Sequence, residues 1–353
     1  MAGTMQAYRI LEWGRPPEVV DVPIPEPGPG EVVVRVAGCG LCHSDLGMMQ
    51  MPREVCESLG WQVPFTLGHE TAGWVAALGA GVTSCAEGDP VAVVSPSSCG
   101  ECSYCIRGQD NCCPKGLAGR GYGRDGGLAE FVRVSSPRGL IRLSGLDPRT
   151  AGTLTDAGAT AFHGVRRVVP RITPGGVVVV IGAGGLGSFA LQYLRHLTTA
   201  QVVVIDTDAT RRAVAMELGA HNAIAQIGAS TAETIRAMSA GGLGADAVLD
   251  FVGTDSTIAA GIAATRAGGA FALIGAAGGK LDAAWFDALP KDGEIFTFQG
   301  STISDAHDVI RLAEAGAIRN DVETYTFDQV GQAYRDLEAG GLRGRAVVVL
   351  DDR

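Results

Sequence analysis

The chain has 353 residues, a length that suits two domains of ordinary size, each with its own core. The formal net charge of −10 argues against nucleic acid or an anionic membrane surface as a partner, so small molecules are the expected ligands. The amino terminus lacks the apolar core of a secretory signal. We therefore expect the nine cysteines to stay reduced, in the cytoplasm, and to serve metal ligation or catalysis.

Up to about residue 150 the chain carries short apolar runs separated by turn residues. Strands are predicted at residues 19–20, 31–37, 71–78 and 91–94. Because the runs are short and glycine and proline are frequent between them, the sequence predicts an irregular, mostly β domain.

Two short motifs in this region carry side chains that bind metals. Residues 38–45 read G-C-G-L-C-H-S-D, and residues 68–70 read G-H-E. The alternative is that Cys39 and Cys42 form a redox C-x-x-C pair. The strand-helix-strand context in which such pairs occur is missing here. A thiolate from Cys42 and an imidazole from His69 call for a third ligand, and with an open fourth position they would make a catalytic zinc site.

Asp156, in the run L-T-D-A-G, is the candidate for the third ligand. An acidic side chain among apolar and small neighbours is costly to bury unpaired, and a metal ion would compensate its charge. The alternative is that Asp156 caps the helix that follows it.

A second ligand set lies in a loop rich in turn residues. Cys99, Cys102, Cys105 and Cys113 have the spacing C-x2-C-x2-C-x7-C, which suits a tetrahedral zinc bound by four thiolates. Cys112 is an alternative fourth ligand. With no open position, such a zinc would stabilise the loop and take no part in chemistry.

From residue 175 to about residue 300, apolar strands alternate with helical stretches. Strands are predicted at residues 177–181, 202–205, 247–251, 271–274 and 295–298. This alternation specifies an α/β fold, with a doubly wound parallel sheet covered by helices on both faces. Residues 176–194 are apolar enough to suggest a membrane span, but their five glycines favour a turn instead.

The glycines of this region form a phosphate-binding pattern. Gly182, Gly184 and Gly187 follow an apolar strand and open a helix, and Asp206 comes 24 residues after Gly182 at the end of the next strand. This context predicts a dinucleotide whose pyrophosphate lies at a helix amino terminus. Asp206 would accept hydrogen bonds from the adenosine ribose and repel the extra phosphate of NADP, so NAD is expected. Arg211 lies against the adenine or its ribose, or is plain solvated surface.

The tail of the chain predicts a helix at residues 305–315, a second helix around residues 329–338 and a closing strand at residues 346–350. We therefore divide the chain into one domain formed by residues 1–157 and 301–353, and a second, inserted domain formed by residues 158–300.

Taken together, these motifs resemble the zinc-containing medium-chain alcohol dehydrogenase family from end to end. G-L-C-H-S-D, G-H-E, the four-cysteine loop and G-x-G-x-x-G occur in the family's order. The resemblance implies a GroES-like, mostly β catalytic domain with both zinc sites and an inserted Rossmann domain. It also implies two zinc ions per chain, one catalytic and one structural, together with NAD, for interconverting alcohols with ketones or aldehydes.

The resemblance assigns roles around the catalytic zinc. Cys42, His69 and Asp156 would bind the ion, and Glu70 would approach it transiently during ligand exchange. Asp45 would accept the second N–H of His69 and fix its tautomer, the alternative being an ordinary surface aspartate.

Ser44 resembles the family's hydroxyl that contacts the substrate oxygen and starts the proton relay, and its alternative role is a helix cap. Many members continue the relay through a histidine at the position held here by Gly47. The proton is therefore expected to leave through the nicotinamide ribose and His43.

The resemblance also implies a set of cofactor contacts in the glycine turn, after the later strands and before the last strand. They are Gly182, Gly184, Gly185, Leu186, Gly187, Asp206, Arg211, Phe251, Val252, Ile274, Gly275 and Arg345. Arg345 resembles the arginine that meets the pyrophosphate, and Arg343 is close enough to dispute that role.

Two further departures bear on the substrate. Asp156 stands where well-known members have cysteine, which resembles the branch acting on secondary alcohols, and Ser95 stands where many relatives have a bulky aromatic residue. A larger pocket and bulky hydrophobic or aromatic secondary alcohols are expected. Apolar residues proposed for its lining, with ordinary core as the alternative, are Met48, Met49, Met51, Leu59, Trp61, Trp285 and Phe286.

Other functions stay open at this point. A primary benzylic or terpenoid alcohol dehydrogenase fits the same motifs. A nonenzymatic NAD-binding module of the same fold would be expected to lose the ligands of the open zinc site, and a zinc-free quinone reductase would be expected to lack the four-cysteine loop. The apolar strand at residues 295–298 predicts pairing with a second copy in a homodimer or homotetramer.

Overall fold

The structure is a computed structural model that describes residues 3–282 and 284–350. Its internal contacts divide the chain into two units, Met1–Ala159 with Gly300–Arg353, and Thr160–Gln299. The sequence-based division has its breaks after residues 157 and 300.

Short strands dominate the first part of the first unit, with four helices among them. The elements are β1 (Thr4–Ile10), β2 (Glu18–Pro23), β3 (Val32–Gly40), α1 (His43–Gln50), α2 (Arg53–Ser58), β4 (Phe65–Thr66), β5 (Glu70–Leu78), β6 (Pro90–Val93), α3 (Ser103–Ile106), β7 (Gly119–Arg120), β8 (Gly123–Arg124), β9 (Phe131–Val134), β10 (Leu140–Arg142) and α4 (Pro148–Ala151). The strands predicted at residues 19–20, 31–37, 71–78 and 91–94 overlap β2, β3, β5 and β6.

Strands and helices alternate through the second unit. The elements are α5 (Ala157–Val168), which starts at the end of the first unit, β11 (Val177–Ile181), α6 (Gly185–Leu197), β12 (Gln201–Ile205), α7 (Ala209–Glu217), β13 (Asn222–Ile224), α8 (Thr231–Met238), β14 (Ala245–Asp250), α9 (Asp255–Ala264), β15 (Thr265–Leu273), α10 (Trp285–Ala288) and β16 (Glu294–Thr297).

The second unit is built on a parallel sheet with the strand order β13-β12-β11-β14-β15-β16. All five residues of β11 are buried, because a central parallel strand has helices on both faces. The order reverses between β11 and β14, where doubly wound folds bind dinucleotides. The predicted α/β class is confirmed.

Residues 176–194 lie mostly in β11, the following turn and α6, so they do not form one long helix. In residues 3–282 and 284–350, no helix has the length and apolar character needed to cross a membrane.

The tail returns to the first unit as α11 (Ile303–Glu314), β17 (Val322–Thr326), α12 (Val330–Ala339) and β18 (Arg345–Val349). β18 pairs antiparallel with the end of β3, which completes a seven-stranded sheet of order β10-β6-β5-β3-β18-β17 with β9 also paired to β3. The core of this unit lies between this sheet and elements such as α12, whose buried residues Val330, Ala333, Tyr334 and Leu337 follow helical periodicity.

Candidate metal centres and dinucleotide site

Strand register brings the first ligand set together. β3 and β5 are antiparallel, and Gly40 at the end of β3 pairs with Glu70 at the start of β5. Cys42, two residues beyond β3, and His69, just before β5, therefore lie at the same end of the two strands. A β-carbon on Gly40 would collide with the Glu70 carboxylate, so glycine is needed for this close approach.

Four potential ligands meet at this place. One ligand atom from each of Cys42, His69, Glu70 and Asp156 lies within 4.8 Å of the others. His69 Nε2 is 3.5 Å from Asp156 Oδ2, and Ser44 Oγ is 3.4 Å from the same nitrogen. The structure thus places Ser44 beside these side chains. Since Cys42 is the residue that precedes α1, Ser44 does not hold the capping position.

A buried carboxylate lies on the far side of His69. Its Nδ1 lies 3.1 Å from Oδ1 of Asp45, whose exposed fraction is 0%, so Asp45 is not a surface aspartate. Oδ2 of Asp45 accepts a hydrogen bond from the backbone N–H of Cys42 at 3.0 Å. With its proton on Nδ1, the imidazole would present the Nε2 lone pair to the side of Cys42, Asp156 and Ser44.

Glu70 is held by Arg345. The Arg345 guanidinium forms a buried ion pair with Glu70 Oε1 and donates to the Leu41 carbonyl oxygen at 2.8 Å. Burial raises the pKa of Glu70 to about 7, against the opposing effect of Arg345. Oε2 of Glu70 is buried and has no hydrogen-bond partner among the described residues. Arg343 is exposed, and its backbone N–H donates to Glu323. The pyrophosphate role of Arg345 stays a prediction, while its observed partner is Glu70.

The chemistry of this cluster fits a zinc ion. Burial by itself lowers the pKa of His69, but the Asp45 and Asp156 carboxylates and Cys42 raise it well above its ordinary value. Burial also favours a raised pKa for Asp156, yet hydrogen bonds from His69 and Ser95 and the charge of His69 lower it. Sulfur, nitrogen and carboxylate donors therefore surround a position that attracts positive charge, and the unpartnered Glu70 oxygen adds a further donor.

The four-cysteine loop has the dimensions of a tetrahedral zinc site. Its Sγ atoms lie within 4.8 Å of one another, with Cys102 to Cys105 at 3.5 Å and Cys99 to Cys105 and Cys102 to Cys113 at 3.9 Å. Zinc–sulfur bonds of about 2.3 Å in a tetrahedron separate the sulfurs by about 3.8 Å. Cys112 is exposed, and it is Cys113 that joins the cluster.

Backbone N–H groups support thiolates in this loop. The N–H of Glu101 is the largest of several effects that lower the pKa of Cys99 to about 6.

By contrast, burial raises the pKa of Cys39 to about 12, which disfavours Cys39 as half of a redox pair.

The glycine turn of the second unit has the packing that a bound pyrophosphate requires. Gly182 has φ 85°, and a β-carbon on Gly187 would collide with the carbonyl of Gly182, so the helix can approach the strand only with glycine there. The space above Gly184 is open, since a β-carbon added there would have Arg211 Nη1 as its nearest neighbour, at 3.9 Å. The first N–H groups of α6, including those of Gly185 and Leu186, need an acceptor from outside the helix.

Asp206 is fixed beside this turn. Its Oδ2 accepts from the N–H of Ala183 at 2.8 Å, and its Oδ1 accepts from the N–H of Asp208 at 2.8 Å. The carboxylate is thus held at the glycine turn, with Arg211 half-buried nearby. This is the arrangement expected for a carboxylate that meets an adenosine ribose.

The predicted contacts after β14 and β15 are joined by a residue that the sequence analysis missed. Oδ1 of Asp250 accepts from the N–H groups of Val252 at 2.8 Å and Gly253 at 3.0 Å, and its carbonyl accepts from Ile274 and Gly275, each at 2.9 Å. The N–H of Phe251 donates to the Ile181 carbonyl at the end of β11. The structure therefore brings these turns together at the carboxyl edge of the sheet. An aspartate ending a buried strand was the available signal.

Two residues of the predicted pocket lining are core residues. Met48 and Trp61 belong to the hydrophobic core of the first unit, and Met49, Met51 and Leu59 pack against that core. Trp285 and Phe286 are 74% and 78% exposed. Apolar residues alone do not distinguish a core from a pocket wall. The core alternative holds for Met48 and Trp61, and the lining role of the other five residues stays a prediction.

The family models match both parts of the chain. The model of the alcohol dehydrogenase GroES-like domain matches residues 28–145, and that of the zinc-binding dehydrogenase domain matches residues 185–315. The chain is 31% identical to a D-arabinose 1-dehydrogenase (NADP(+)) from Saccharolobus solfataricus over 97% of both chains. It is 32% identical to an NAD-dependent alcohol dehydrogenase from Sulfurisphaera tokodaii, covering 98% of this chain and 100% of that one.

A solved structure agrees with these matches. The acetophenone reductase from Geotrichum candidum, in complex with NAD, superposes with a TM-score of 0.85 and 28% identity, covering 100% of this chain and 99% of that one. The likeness covers both the zinc-site motifs and the glycine turn. The chain belongs to the zinc-containing medium-chain alcohol dehydrogenase family.

Proposed function

We propose that this chain is a zinc-dependent, NAD-linked alcohol dehydrogenase that interconverts bulky hydrophobic or aromatic secondary alcohols with their ketones. The observation that carries the proposal is the cluster of Cys42, His69 and Asp156 with the Ser44 hydroxyl beside it. A nonenzymatic module would have no need of a buried, open set of ligands together with a hydroxyl.

Each residue of the proposed site has a distinct role. Cys42, His69 and Asp156 would hold the zinc, which supplies Lewis acidity towards the substrate oxygen. Ser44 would hydrogen-bond the substrate hydroxyl and, during oxidation, would accept its proton while passing its own hydroxyl proton to the next group of the relay. Asp45 keeps the Nδ1 proton of His69 in place, so that Nε2 faces the site. The cysteine loop would hold the second, structural zinc.

The second unit would bind NAD, which supplies the hydride acceptor. The glycine turn and the first N–H groups of α6 receive the pyrophosphate, and Asp206 receives the ribose hydroxyls. The nicotinamide ribose and the exposed His43 are the proposed next steps for the proton, since Gly47 has no side chain to carry it.

Asp206→Ser is expected to shift cofactor preference from NAD towards NADP. The carboxylate accepts from ribose hydroxyls and repels a phosphate, and serine removes both effects. We expect the ratio of kcat/KM for NAD to that for NADP to fall by about 10- to 100-fold, a change of about 1.4 to 2.7 kcal/mol. Asp208→Ser is the matched control, because Asp208 caps α7 from the same loop. An unchanged ratio in Asp206→Ser removes Asp206 from the ribose role.

The substrate class rests on the surroundings of the proposed metal site. Ser95 is small and buried, and it is one of the groups that lower the pKa of Asp156. The ring of Tyr122 lies edge-on to the His69 ring at 6.4 Å, so an aromatic residue adjoins the site. A small residue in place of a bulky one enlarges the space for substrate, and the acetophenone reductase offers an aromatic-ketone precedent among the similar proteins.

A panel of alcohols tests this class through NADH absorbance. It contains ethanol, benzyl alcohol, 1-phenylethanol, geraniol, menthol and D-arabinose. We expect kcat/KM for 1-phenylethanol to exceed that for ethanol and D-arabinose by at least about tenfold. Burying additional apolar groups of a substrate in a hydrophobic pocket raises kcat/KM by factors of this order. Preference for benzyl alcohol or geraniol favours the primary alcohol alternative. Preference for D-arabinose or ethanol contradicts the proposed class, and NADH binding without any oxidation favours the nonenzymatic module.

We further propose that the chain works as a homodimer or homotetramer in the cytoplasm. β16 is an edge strand of the parallel sheet, with backbone groups on one side available for pairing with a second copy.

A further inference from the structure

A tyrosine hydroxyl from the carboxyl-terminal part of the chain reaches the carboxylate behind His69. Tyr334 lies on the buried face of α12 and is 5% exposed. Its ring stacks on that of Tyr8 with centroids 5.9 Å apart. Its hydroxyl donates to Oδ2 of Asp45 at 3.0 Å. A buried phenol hydroxyl without a partner would be costly, and this partner satisfies it.

Few polar groups among the described residues contact the Asp45 carboxylate. Within the described residues it contacts His69 Nδ1 through Oδ1, and the backbone N–H of Cys42 and the Tyr334 hydroxyl through Oδ2. No lysine or arginine forms an ion pair with it in residues 3–282 and 284–350. Two donors on Oδ2 hold the carboxylate in place, with Oδ1 at 3.1 Å from His69 Nδ1.

We propose that Tyr334 is a positioning residue for the catalytic metal. Its hydroxyl holds Asp45, Asp45 holds the Nδ1 proton of His69, and Nε2 is thereby presented to zinc. The proposal rests on the ligand role of His69 given under the proposed function. Groups that orient a ligand from outside the coordination sphere typically change metal affinity by 10- to 100-fold, and Tyr334 acts one contact further out.

The test uses the zinc-loaded enzyme and the change Tyr334→Phe, which removes the hydroxyl and keeps the ring. Zinc release to the chelator 4-(2-pyridylazo)resorcinol is followed by absorbance. We expect the catalytic zinc to leave about tenfold faster than in the unmodified enzyme. The zinc of the cysteine loop should leave at an unchanged rate. Cobalt at the catalytic site should show an altered visible spectrum, because His69 is less firmly oriented.

Tyr8→Phe is the matched control. Tyr8 belongs to the same stacked pair, and its hydroxyl makes no contact with Asp45 within the described residues. Tyr8→Phe removes a hydroxyl from the stack but keeps the contact between Tyr334 and Asp45. Zinc should therefore leave this variant at the same rate as the unmodified enzyme. Release from Tyr334→Phe within twofold of Tyr8→Phe overturns the proposal.

A second measurement separates a positioning effect from general loosening of the fold. Asp45→Asn should speed zinc release by more than Tyr334→Phe does, and the double variant should release zinc no faster than Asp45→Asn alone, because the hydroxyl acts through Asp45. Additive rate increases overturn the proposal. If the unmodified enzyme holds no zinc at Cys42, His69 and Asp156, the proposed function fails. Two zinc ions with unchanged release from Tyr334→Phe overturn this inference alone.

Discussion

Cys42→Ser is expected to lower the zinc content from two ions to one per chain and to reduce kcat/KM for alcohols by at least about 10³-fold. The thiolate is the only sulfur ligand in its cluster, and the remaining imidazole and carboxylates bind zinc less firmly without it. Loss of a Lewis acid worth several kcal/mol in the transition state corresponds to a rate factor of this size.

The fold should survive this change. Cys42 lies at the start of α1, where serine is a favoured capping residue. The backbone N–H of residue 42, which donates to Asp45, is present with either cysteine or serine. Circular dichroism and NADH binding should therefore match the unmodified protein. Metal analysis of purified protein gives the zinc count.

Cys112→Ser is the matched control, since Cys112 is an exposed cysteine outside both clusters. It should keep two zinc ions and full activity. Cys102→Ser should lose the other zinc and destabilise the cysteine loop. One zinc in the unmodified protein would contradict the two-site scheme, and two zinc ions retained in Cys42→Ser would remove Cys42 from the ligand set.

Most of the second unit could be predicted from sequence because its strands are continuous apolar runs. V-V-V-V-I at Val177–Ile181 is buried on both faces and bounded by glycines, so its type and its limits are both marked. β1 was missed. Thr4–Ile10 has three polar residues in seven, and only Met5, Ala7 and Ile10 are buried in it. It is a strand because it pairs with β2 and β4, and the residues of β1 alone do not predict that pairing.

The metal site was predictable in its ligand types and not in the contacts behind them. Cys42 and His69 stand in short motifs, whereas Tyr334 meets Asp45 across 289 residues of sequence, and a tyrosine on an amphipathic helix gives no sign of where its hydroxyl points. Two residues of the predicted pocket lining were wrong for a related reason. Met48 and Trp61 are as apolar as pocket residues, and only the packing of the core shows which way they face.

Ser44→Ala is expected to lower kcat/KM for alcohol oxidation by about 100-fold while both zinc ions stay bound. The hydroxyl lies 3.4 Å from His69 Nε2, at the place where a substrate oxygen would meet the proposed ligands. A positioned proton acceptor contributes about 10²- to 10⁴-fold, and the lower end is expected here because water can enter the space left by the hydroxyl.

Ser44→Thr is the conservative control, since it keeps a hydroxyl at the same position, and it should recover most of the activity. Zinc content and NADH affinity should be the same in both variants, because Ser44 belongs to neither the ligand set nor the dinucleotide site. Single-turnover measurements of hydride transfer exclude product release as the slow step. A hydride-transfer rate in Ser44→Ala equal to that of the unmodified enzyme would refute a relay through Ser44. A similar loss in Ser44→Thr and Ser44→Ala would mean that the site needs the size of serine and not its hydroxyl.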